Sequence, residues 1–503
     1  MPELSSALWP AIAAALVVLA TPSAGPRQTS DLPPEPAREF RAAWVATVAN
    51  IDWPSRPGLT TDQMRSELAT IFDTAARLRL NAIILQVRPA CDALYQSDIE
   101  PWSPHLTGRM GQAPDPPFDP LAFAIEEGHR RGIEVHAWFN PYRALHSTAP
   151  GPVSANHISR THPHLVRRYG RMLWLDPGEP AVRDHTVRVI MDVVRRYDID
   201  GVHLDDYFYP YPTRDPQGRL LDFPDGPSWA RYVRSGGKLQ RDDWRRSNVD
   251  TLIERLYREI KAAKPWVKFG ISPFGIWRPG TPPGIRGLDA FAAIYADSRR
   301  WIREGWLDYW TPQLYWRIDA PGQSYPVLLR WWVEQNVHGR HVWPGNFTSR
   351  VADGSPTAWE SQEIVDQIEA TRAQPGATGN VHFSMRPLLR DRGGIAAALA
   401  RGPYREPALV PASPWLDDRP PATPALRVEG QRPEERVLRW DPRGDETARL
   451  WVVQTRVGGA WTTAILPQGE RAAPAPAGLE AAAVSAVDRS GMRSKPALWR
   501  AAR

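Results

Sequence analysis

The segment GVHLDDY, at residues 201–207, is a short apolar run that ends in two adjacent acids, Asp205 and Asp206. A stretch with helical spacing of its apolar residues, 182–197, precedes it, and a polar stretch that contains several prolines, 209–239, follows it. An apolar run after an amphipathic helix is typical of a parallel sheet, because parallel strands need a crossover connection that is usually a helix. The segment therefore predicts a buried strand with the two acids at its carboxyl end.

Seven further apolar runs occur along the chain, and helix-patterned stretches at 61–80, 120–131 and 248–263 lie between some of them. Eight such units predict an α/β fold of the (β/α)8 TIM-barrel class. A doubly wound sheet is the competing fold, but no glycine-rich nucleotide turn follows the first run. The eight predicted strands are residues 42–48, 82–87, 134–140, 201–207, 268–272, 309–314, 341–347 and 380–384.

The intervals between these runs are uneven, which predicts long βα loops. The stretch 92–118 after the second run and the stretch 209–239 after the fourth are polar and contain many prolines and aromatic residues. A TIM barrel builds its active site from the loops at the carboxyl ends of its strands. We therefore expect the functional residues in and next to these loops.

The chain divides into five predicted regions. An apolar run at 7–20, followed by small residues, predicts a secretory signal peptide, and hence a protein of the bacterial periplasm or cell envelope with no transmembrane segment after cleavage. Short strand-like runs near the C-terminus predict an all-β sandwich that resembles a fibronectin type III domain and acts as a spacer or wall tether. The regions are the signal peptide 1–24, a proline-rich linker 25–37, the barrel 38–403, a second linker 404–424 and the sandwich 425–503.

Composition limits the class of function. Lys and Arg number 62 against 56 Asp and Glu, a net charge of +6, and the cations are dispersed, which argues against a nucleic-acid partner. The single cysteine, Cys91, excludes an internal disulfide and a cysteine-based metal site. The 23 tryptophans favour flat aromatic surfaces on which sugar rings stack, so a polysaccharide is the expected partner.

Carboxylates near strand ends are the candidate catalytic residues. Two adjacent acids are costly to bury unless they are hydrogen-bonded or take part in chemistry, and strand alternation predicts Asp205 and Asp206 on opposite faces. Glu100 lies among apolar neighbours that are expected to raise its pKa, as a general acid requires. Arg88, at the end of the second run, is placed to pair with an acid and hold it ionised.

Aromatic, amide and guanidinium groups recur near the ends of successive predicted strands. Such groups suit hydroxyl recognition in a sugar cleft better than phosphate or hydride chemistry. The predicted substrate-binding residues are Asp52, Trp53, Arg88, Asp92, Trp102, Trp138, Asn140, Tyr142, Arg143, His203, Tyr207, Trp277, Gln313, Tyr315, Trp316 and Asn346.

Neither a metal nor a cofactor is expected. His157, His162 and His164 lie in one loop, with His146 upstream, but their spacing matches no zinc motif. A serine nucleophile is not expected either, because the chain has no G-x-S-x-G motif.

A series of ordered motifs spans about residues 38 to 400. They are Arg41-Ala-Ala-Trp44, Asn50-Ile-Asp52-Trp-Pro54, Gln86-Val-Arg88-Pro89 followed by Asp92, Glu100-Pro-Trp-Ser103, Leu106-Thr-Gly108, Asp119-Pro-Leu121, His136-Ala-Trp138, Asn140-Pro-Tyr-Arg143, Trp174-Leu-Asp-Pro177, Asp200-Gly-Val-His203-Leu-Asp205-Asp-Tyr207, Ile271-Ser-Pro-Phe-Gly275-Ile-Trp277-Arg278 and Gln313-Leu-Tyr315-Trp316. In these motifs the chain resembles the glycosyl hydrolase-like 10 family. The resemblance implies a TIM barrel, often followed by a β-sandwich, and glycoside hydrolysis; the family includes a divisome-associated enzyme that acts on peptidoglycan glycan strands.

The resemblance and the acids together predict an exported glycoside hydrolase that acts on a bacterial cell-wall glycan or a related polysaccharide. We expect Glu100 to protonate the leaving oxygen and Asp205 to act as nucleophile or general base, with Asp206 and Arg88 setting its charge. Retaining, inverting and lytic mechanisms stay open, because they depend on a carboxyl separation that a sequence does not supply. Two other functions also stay open: a catalytically inactive glycan-binding envelope protein, and a metal-dependent carbohydrate deacetylase.

Overall fold

The computed structural model describes residues 32–432, 435–444 and 447–501. The predicted signal peptide, 1–24, lies outside these residues, as does most of the predicted linker 25–37. Within the described ranges, none of the helices combines the length with the apolar content that a bilayer span needs.

Strands and helices alternate through the first four-fifths of the chain, and strands alone follow. In chain order the strands are β1 Phe40–Val45, β2 Ala82–Arg88, β3 Glu134–Phe139, β4 Arg143–Leu145, β5 Val166–Tyr169, β6 Met172–Leu175, β7 Gly201–Leu204, β8 Lys268–Ile271, β9 Tyr309–Trp310, β10 His341–Val342, β11 Gly345–Asn346, β12 Gly379–His382, β13 Ala425–Glu429, β14 Val437–Asp441, β15 Leu450–Val457, β16 Ala460–Pro467, β17 Ala472–Pro474, β18 Leu479–Val487 and β19 Ala497–Arg500. The α-helices are α1 Thr61–Arg77, α2 Pro104–Thr107, α3 Pro120–Arg130, α4 Ile158–Thr161, α5 Pro180–Arg196, α6 Gly226–Arg234, α7 Arg241–Ala263, α8 Ala290–Ala293, α9 Ser298–Glu304, α10 Tyr325–Gln335, α11 Ser361–Ala373, α12 Met385–Leu389 and α13 Ile395–Arg401.

A parallel sheet of nine strand segments forms the centre of the larger part, in the order β10-β9-β8-β7-β3-β2-β1-β12-β11. The outermost segments, β10 and β11, are pieces of one run, separated only by Trp343 and Pro344. Trp343 N donates to Trp310 O on one side at 2.8 Å, and Val381 N donates to Pro344 O on the other at 3.0 Å. The sheet therefore curls until its two ends meet in the same run, in a TIM-barrel-like arrangement.

The predicted α/β class is confirmed, with a curled parallel sheet at its centre, and each of the eight predicted strands overlaps a segment of this sheet. The seventh run is divided in two because proline has no N–H to donate to a strand ladder, and Pro344 lies at its centre.

Helix starts follow from local capping chemistry. Thr60 and Gln63 form a capping box at α1, in which Gln63 N donates to Thr60 Oγ1 at 3.2 Å and Thr60 N donates to Gln63 Oε1 at 3.1 Å. Asp119 caps α3 by accepting from Ala122 N at 3.0 Å. These caps set where each crossover helix begins before it packs on the sheet.

Insertions at the carboxyl side of the sheet match the predicted long loops. After β3 the chain forms a small antiparallel sheet in the order β4-β6-β5, and the loop after β7 contains α6. Both insertions follow strands whose ends carry candidate site residues, so they stand around the mouth of the curled sheet.

The C-terminal region is all-β, as predicted. It contains two antiparallel sheets, β13-β14-β17 and β16-β15-β18-β19, with Trp440, Trp451 and Val484 in their common core. The strand-like runs of the sequence, at 425–428, 436–440, 450–456, 460–465 and 481–488, correspond to β13, β14, β15, β16 and β18, whereas β17 and β19 were not predicted. The domain boundaries and the likeness to a fibronectin type III domain stay predictions.

This region contacts the base of the larger part. Arg449 Nη2 donates to Asp200 Oδ1 at 3.1 Å, and Arg489 Nη2 lies 2.6 Å from Asp198 Oδ1. Asp198 and Asp200 come just before β7, at the end of the sheet opposite to Asp205. The all-β region therefore leaves the mouth uncovered.

Candidate active site

A cavity of about 300 Å³ opens at the carboxyl ends of the parallel strands. Ligand pockets begin at about this size. Its lining combines aromatic rings with a few polar groups: Trp44, Ala46, Val48, Ala49, Ile51, Gln86, Trp138, Arg143, His146, Asp205, Asp206, Tyr207, Tyr211, Ser272, Gln313, Tyr315, Phe347 and Phe383.

Asp205 and Asp206 both line this cavity, because the chain leaves the strand before it reaches them. β7 ends at Leu204, and Phe208 N donates to Asp206 O at 3.0 Å in the turn that follows. Side chains alternate between faces only while the backbone stays extended. The predicted placement of the two acids on opposite faces is therefore wrong.

Asp205 accepts a hydrogen bond at each carboxyl oxygen. Asn140 Nδ2 donates to Oδ2, and Tyr207 N donates to Oδ1 at 3.3 Å. Burial raises the pKa of Asp205 to about 7 against the attraction of Arg143, and the charge of Asp206 adds to the rise. A carboxyl with a pKa near 7 carries a proton for part of the time at neutral pH, which is the property of a general acid.

Asp206 is held by a different set of donors. The Tyr211 hydroxyl donates to Asp206 Oδ2. Burial raises the pKa of Asp206, while hydrogen bonds from Tyr211 and Gln313 oppose the rise. Two buried carboxyls in direct sequence repel each other when both are ionised, so Asp205 and Asp206 titrate as one unit.

A buried amide network fixes the direction of Asn140. Gln86 Nε2 donates to Asn140 Oδ1 at 2.7 Å, and Arg143 Nη1 donates to the same oxygen at 3.2 Å. With its oxygen occupied in this way, Asn140 presents its NH₂ group to Asp205. The Arg143 guanidinium also lies 4.3 Å from the centre of the Tyr207 ring, within the range of a cation–π contact.

Glu100 is not among the residues that line the cavity. Arg88 donates to it from Nε at 2.7 Å and from Nη2 at 2.6 Å, and His185 Nε2 lies 2.8 Å from Oε1. Burial would raise the pKa of Glu100, but the charge and hydrogen bonds of Arg88, with those of His185, lower it to about 2. The predicted rise in the pKa of Glu100 is therefore wrong, whereas the predicted pairing of Arg88 with an acid is confirmed.

His203 lies beneath the cavity. Trp44 Nε1 donates to His203 Nε2 at 3.1 Å, the Ser272 hydroxyl lies 3.0 Å from the same nitrogen, and Tyr309 lies 3.0 Å from Nδ1. Burial lowers the pKa of His203 well below its ordinary value, so the ring is neutral. A Cβ at Gly270 would come within 2.1 Å of the Tyr309 ring, so only glycine leaves space for the tyrosine that contacts His203.

The structure brings five of the predicted binding residues to the cavity: Trp138, Arg143, Tyr207, Gln313 and Tyr315. The other eleven do not line it: Asp52, Trp53, Arg88, Asp92, Trp102, Asn140, Tyr142, His203, Trp277, Trp316 and Asn346. Asn140 and Arg88 still act on the site, since Arg88 Nη1 donates to Asn140 O at 2.5 Å.

Most of those eleven side chains serve the fold instead. The indole N–H of Trp53 donates to Met64 O at 3.1 Å, and that of Trp277 donates to Asp297 at 3.1 Å. Asp52 accepts from Ser384 Oγ at 2.7 Å, and burial raises its pKa to about 6. These groups are hydrogen-bonded within the protein and do not line the cavity.

Several cavity residues were not predicted as site residues. Tyr211 belongs to the loop after β7, four residues beyond Tyr207, and no motif singles it out. Phe347 lines the cavity, while the side chain of its predicted neighbour Asn346 points to helix α11 and donates to Gln367 Oε1 at 2.9 Å. Side chains of a strand alternate between its two faces, so assigning the cavity face to Phe347 in place of Asn346 would have identified this residue.

The histidines of the loop after β3 do not converge. His157 Nε2 lies 3.0 Å from Ala144 O, and the rings of His162 and His164 are 6.1 Å apart. Within the described ranges, no group of three or more His, Cys, Asp or Glu side chains is arranged to hold a metal ion.

Comparison with known proteins gives consistent sequence relatives. The family described as Glycosyl hydrolase-like 10 matches residues 39–356. Glycosyl hydrolase YngK of Bacillus subtilis (strain 168) is 42% identical over 401 residues, which cover 77% of this chain and 76% of that protein. Glycosyl hydrolase DigH of Escherichia coli (strain K12) is 38% identical over 338 residues, 63% of this chain and 74% of that protein.

Solved structures give more distant matches. The catalytic domain of beta-amylase from Paenibacillus polymyxa matches with a TM-score of 0.47 and 12% identity, over 74% of this chain and 99% of that one. The PgaB (BpsB) glycoside hydrolase domain from Bordetella bronchiseptica matches with a TM-score of 0.46 and 12% identity, over 72% and 98%.

Proposed function

The chain belongs to the glycosyl hydrolase-like 10 family and is a glycoside hydrolase, and from this premise we propose that it cleaves a bacterial cell-wall glycan with Asp205 and Asp206 as its catalytic carboxyls. One observation carries the assignment of the site: these are the two acids that line the cavity at the carboxyl ends of the strands, and burial raises the pKa of both.

The general acid in this proposal is Asp205. Its pKa, raised to about 7, leaves a proton available for the glycosidic oxygen at neutral pH. Asp206 is assigned as the ionised partner, because the hydrogen bonds of Tyr211 and Gln313 oppose the rise that burial causes in its pKa. Glu100, which was expected to be the acid, is kept ionised by Arg88 and does not reach the cavity lining.

The cavity walls support a sugar as the ligand. Tyr315 and Phe347 are stacked with their ring centres 4.7 Å apart, and Phe383 lies 5.7 Å from Tyr315. Flat aromatic faces beside Gln313 and Arg143 offer both stacking and hydrogen bonding to a hydroxylated ring. The cell-wall glycan is proposed from the family resemblance in the motifs, and export through residues 1–24 is proposed with it.

The test uses peptide-stripped peptidoglycan strands incubated with the protein in 18O-labelled water. We expect one 18O atom at each new reducing end, read by mass spectrometry, and loss of this signal in Asp205→Asn. The matched control is Asp98→Asn, which removes an exposed acid of the loop after β2, outside the cavity. Anhydro-sugar ends without 18O, or intact strands, would contradict the proposal.

The C-terminal region is proposed as a fibronectin type III-like spacer. Its ion pairs through Arg449 and Arg489 join the base of the sheet, opposite to Asp205. A module in that position is suited to holding the enzyme at a surface while the mouth stays open to a strand.

A further inference from the structure

We propose that the nucleophile is supplied by the substrate: the carbonyl oxygen of a 2-acetamido group attacks the anomeric carbon of its own sugar, while the Asp205–Asp206 pair handles the protons. The substrate class is then restricted to glycans with an N-acylated sugar on the non-reducing side of the broken bond. This inference rests on the proposed function and adds the chemical identity of the nucleophile.

The first argument is the distribution of acids around the cavity. Hydrolysis through an enzyme nucleophile or an enzyme-activated water needs two carboxyls that flank the bond from opposite sides. In TIM-barrel enzymes such groups come from the ends of different strands. Here both carboxyls follow β7, on consecutive residues whose Cα atoms are about 3.8 Å apart. Among the described residues that line the cavity, no third Asp or Glu faces this pair.

Two other buried acids of the loop after β2 already have hydrogen-bond partners. Glu100 is bound by Arg88 and His185. Asp92 accepts from Ser103 Oγ at 2.8 Å and from Ala90 N at 3.0 Å, and none of these acids lines the cavity. A nucleophile on the far side of the sugar ring therefore has to come from the substrate or from water without a carboxylate base.

The second argument is the complementarity between the pair and an acetamido group. An amide offers one N–H donor and one carbonyl acceptor. Asp206, as a carboxylate, is an acceptor for that N–H. Trp138 Nε1 and Arg143 Nε, on two buried residues of the lining, have no hydrogen-bond partner in the described part of the chain. Both atoms are N–H donors of residues that form the cavity wall.

The third argument is the apolar wall. An acetamido group ends in a methyl, which gains from burial against apolar surface. Tyr315, Phe347 and Phe383 form a contiguous aromatic patch in the lining, with ring centres between 4.7 and 6.3 Å apart. A hydroxyl at the same sugar position carries no methyl group to bury against this patch.

The reaction balances as two displacements at one carbon. The carbonyl oxygen forms a bond to the anomeric carbon while the glycosidic C–O bond breaks, and the leaving oxygen keeps the electron pair and takes the Asp205 proton. Asp206 stabilises the N–H of the resulting oxazolinium ring. Water then attacks the anomeric carbon, gives a proton to Asp205, and the acetamide is restored. Two inversions give a product of retained configuration.

The test compares one glycan in several acylated forms. Peptide-stripped peptidoglycan strands are N-deacetylated chemically and re-acylated with acetyl, fluoroacetyl or trifluoroacetyl groups. Fluorine withdraws electrons from the carbonyl oxygen, so we expect kcat/KM to fall in that order, by on the order of 100-fold for trifluoroacetyl, because the oxygen is the nucleophile in the transition state. NMR of the first product is expected to show the retained anomer.

Two results separate the failure of this inference from the failure of the proposed function. Hydrolysis at equal rates in all acylated forms, or a product of inverted configuration, would overturn the substrate-assisted step and leave the glycan hydrolase standing. No hydrolysis of any form would overturn both.

A binding measurement adds a readout that does not depend on turnover. A thiazoline analogue of the N-acetyl sugar, in which sulfur replaces the ring oxygen of the oxazoline, is titrated by calorimetry. We expect Asp206→Asn to weaken its binding at least tenfold and Asp98→Asn to leave it unchanged. Equal binding to all three proteins would contradict the role of Asp206.

Discussion

Arg88 holds Glu100 through two hydrogen bonds, 2.7 Å from Nε to Oε2 and 2.6 Å from Nη2 to Oε1. The same guanidinium donates to Asn140 O, and Asn140 in turn donates to Asp205. The buried ion pair therefore supports Asp205 through the end of β3, and neither of its members lines the cavity. This relationship separates residues that position the site from those proposed to react.

Replacing Glu100 with Gln tests that separation. The change leaves the buried guanidinium of Arg88 with a neutral partner, so the free energy of unfolding is expected to fall by on the order of 3 kcal/mol, measured by urea denaturation. The pH dependence of kcat/KM is expected to keep its alkaline limb, because Asp205 still supplies the proton. If Glu100→Gln lost the alkaline limb, Glu100 and not Asp205 would be the general acid.

Replacing Asp205 with Asn removes the proposed proton donor. We expect kcat/KM on peptide-stripped glycan to fall by about 100- to 10,000-fold, the usual contribution of a general acid. In the unmodified protein the rate is expected to decline as the pH rises through about 7, since only the protonated carboxyl of Asp205 donates. If Asp205→Asn shows the same decline in rate at alkaline pH as the unmodified protein, the titration of another group causes that decline.

The same substitution has a predicted effect on stability. The pKa of Asp205 is about 7 when folded and about 3.9 in an unfolded chain. Its contribution to stability is thus complete below about pH 4 and is lost as the pH rises through 7. We subtract the free energy of unfolding of the parent protein from that of Asp205→Asn at each pH. This difference is expected to be about 2 to 4 kcal/mol more favourable to the variant at pH 8 than at pH 4. Urea denaturation at both pH values measures this, with Asp98→Asn as the control.

Asn140→Ala removes the donor to Asp205 Oδ2 without touching the acid. A hydrogen bond to a carboxylate lowers its pKa, so its loss is expected to move the alkaline limb of kcat/KM to higher pH. The shift is read from a pH–rate profile. An unchanged profile would mean that the Asn140 amide does not bear on the ionisation of Asp205.

Arg449→Ala tests the attachment of the all-β region. Arg449 donates to Asp200 and contacts His129 at the base of the sheet. Losing a charged hydrogen bond there is expected to lower the free energy of unfolding by about 2 kcal/mol. Activity on soluble glycan is expected to stay unchanged, because the cavity is at the other end. A fall in kcat would indicate coupling between the two ends.

The parallel sheet was predictable because its strands are buried on both faces and read as continuous apolar runs. The run at 82–87 is an example, and all residues of β2 are buried. The strand endpoints were less predictable: β7 stops at Leu204, and the turn after it changes the direction of Asp206. No pattern in the local sequence indicates that turn.

The sequence predicted which kinds of side chain form the site, but it identified only some of the residues that form it. Trp53 and Trp138 are both tryptophans close to strand ends, yet Trp53 is bonded to Met64 O and Trp138 lines the cavity. The difference depends on contacts between residues distant in sequence. Glu100 shows the same limit, since its apolar neighbours in sequence matter less for its pKa than the guanidinium of Arg88.

The divided seventh strand has a consequence for the cleft. β11 contributes two residues to its ladder with β12, and Phe347 and Phe383 follow these short strands directly. Any separation of the two strands moves two aromatic walls of the cavity apart. The width available to a sugar therefore depends on the same two-residue ladder that helps to close the sheet.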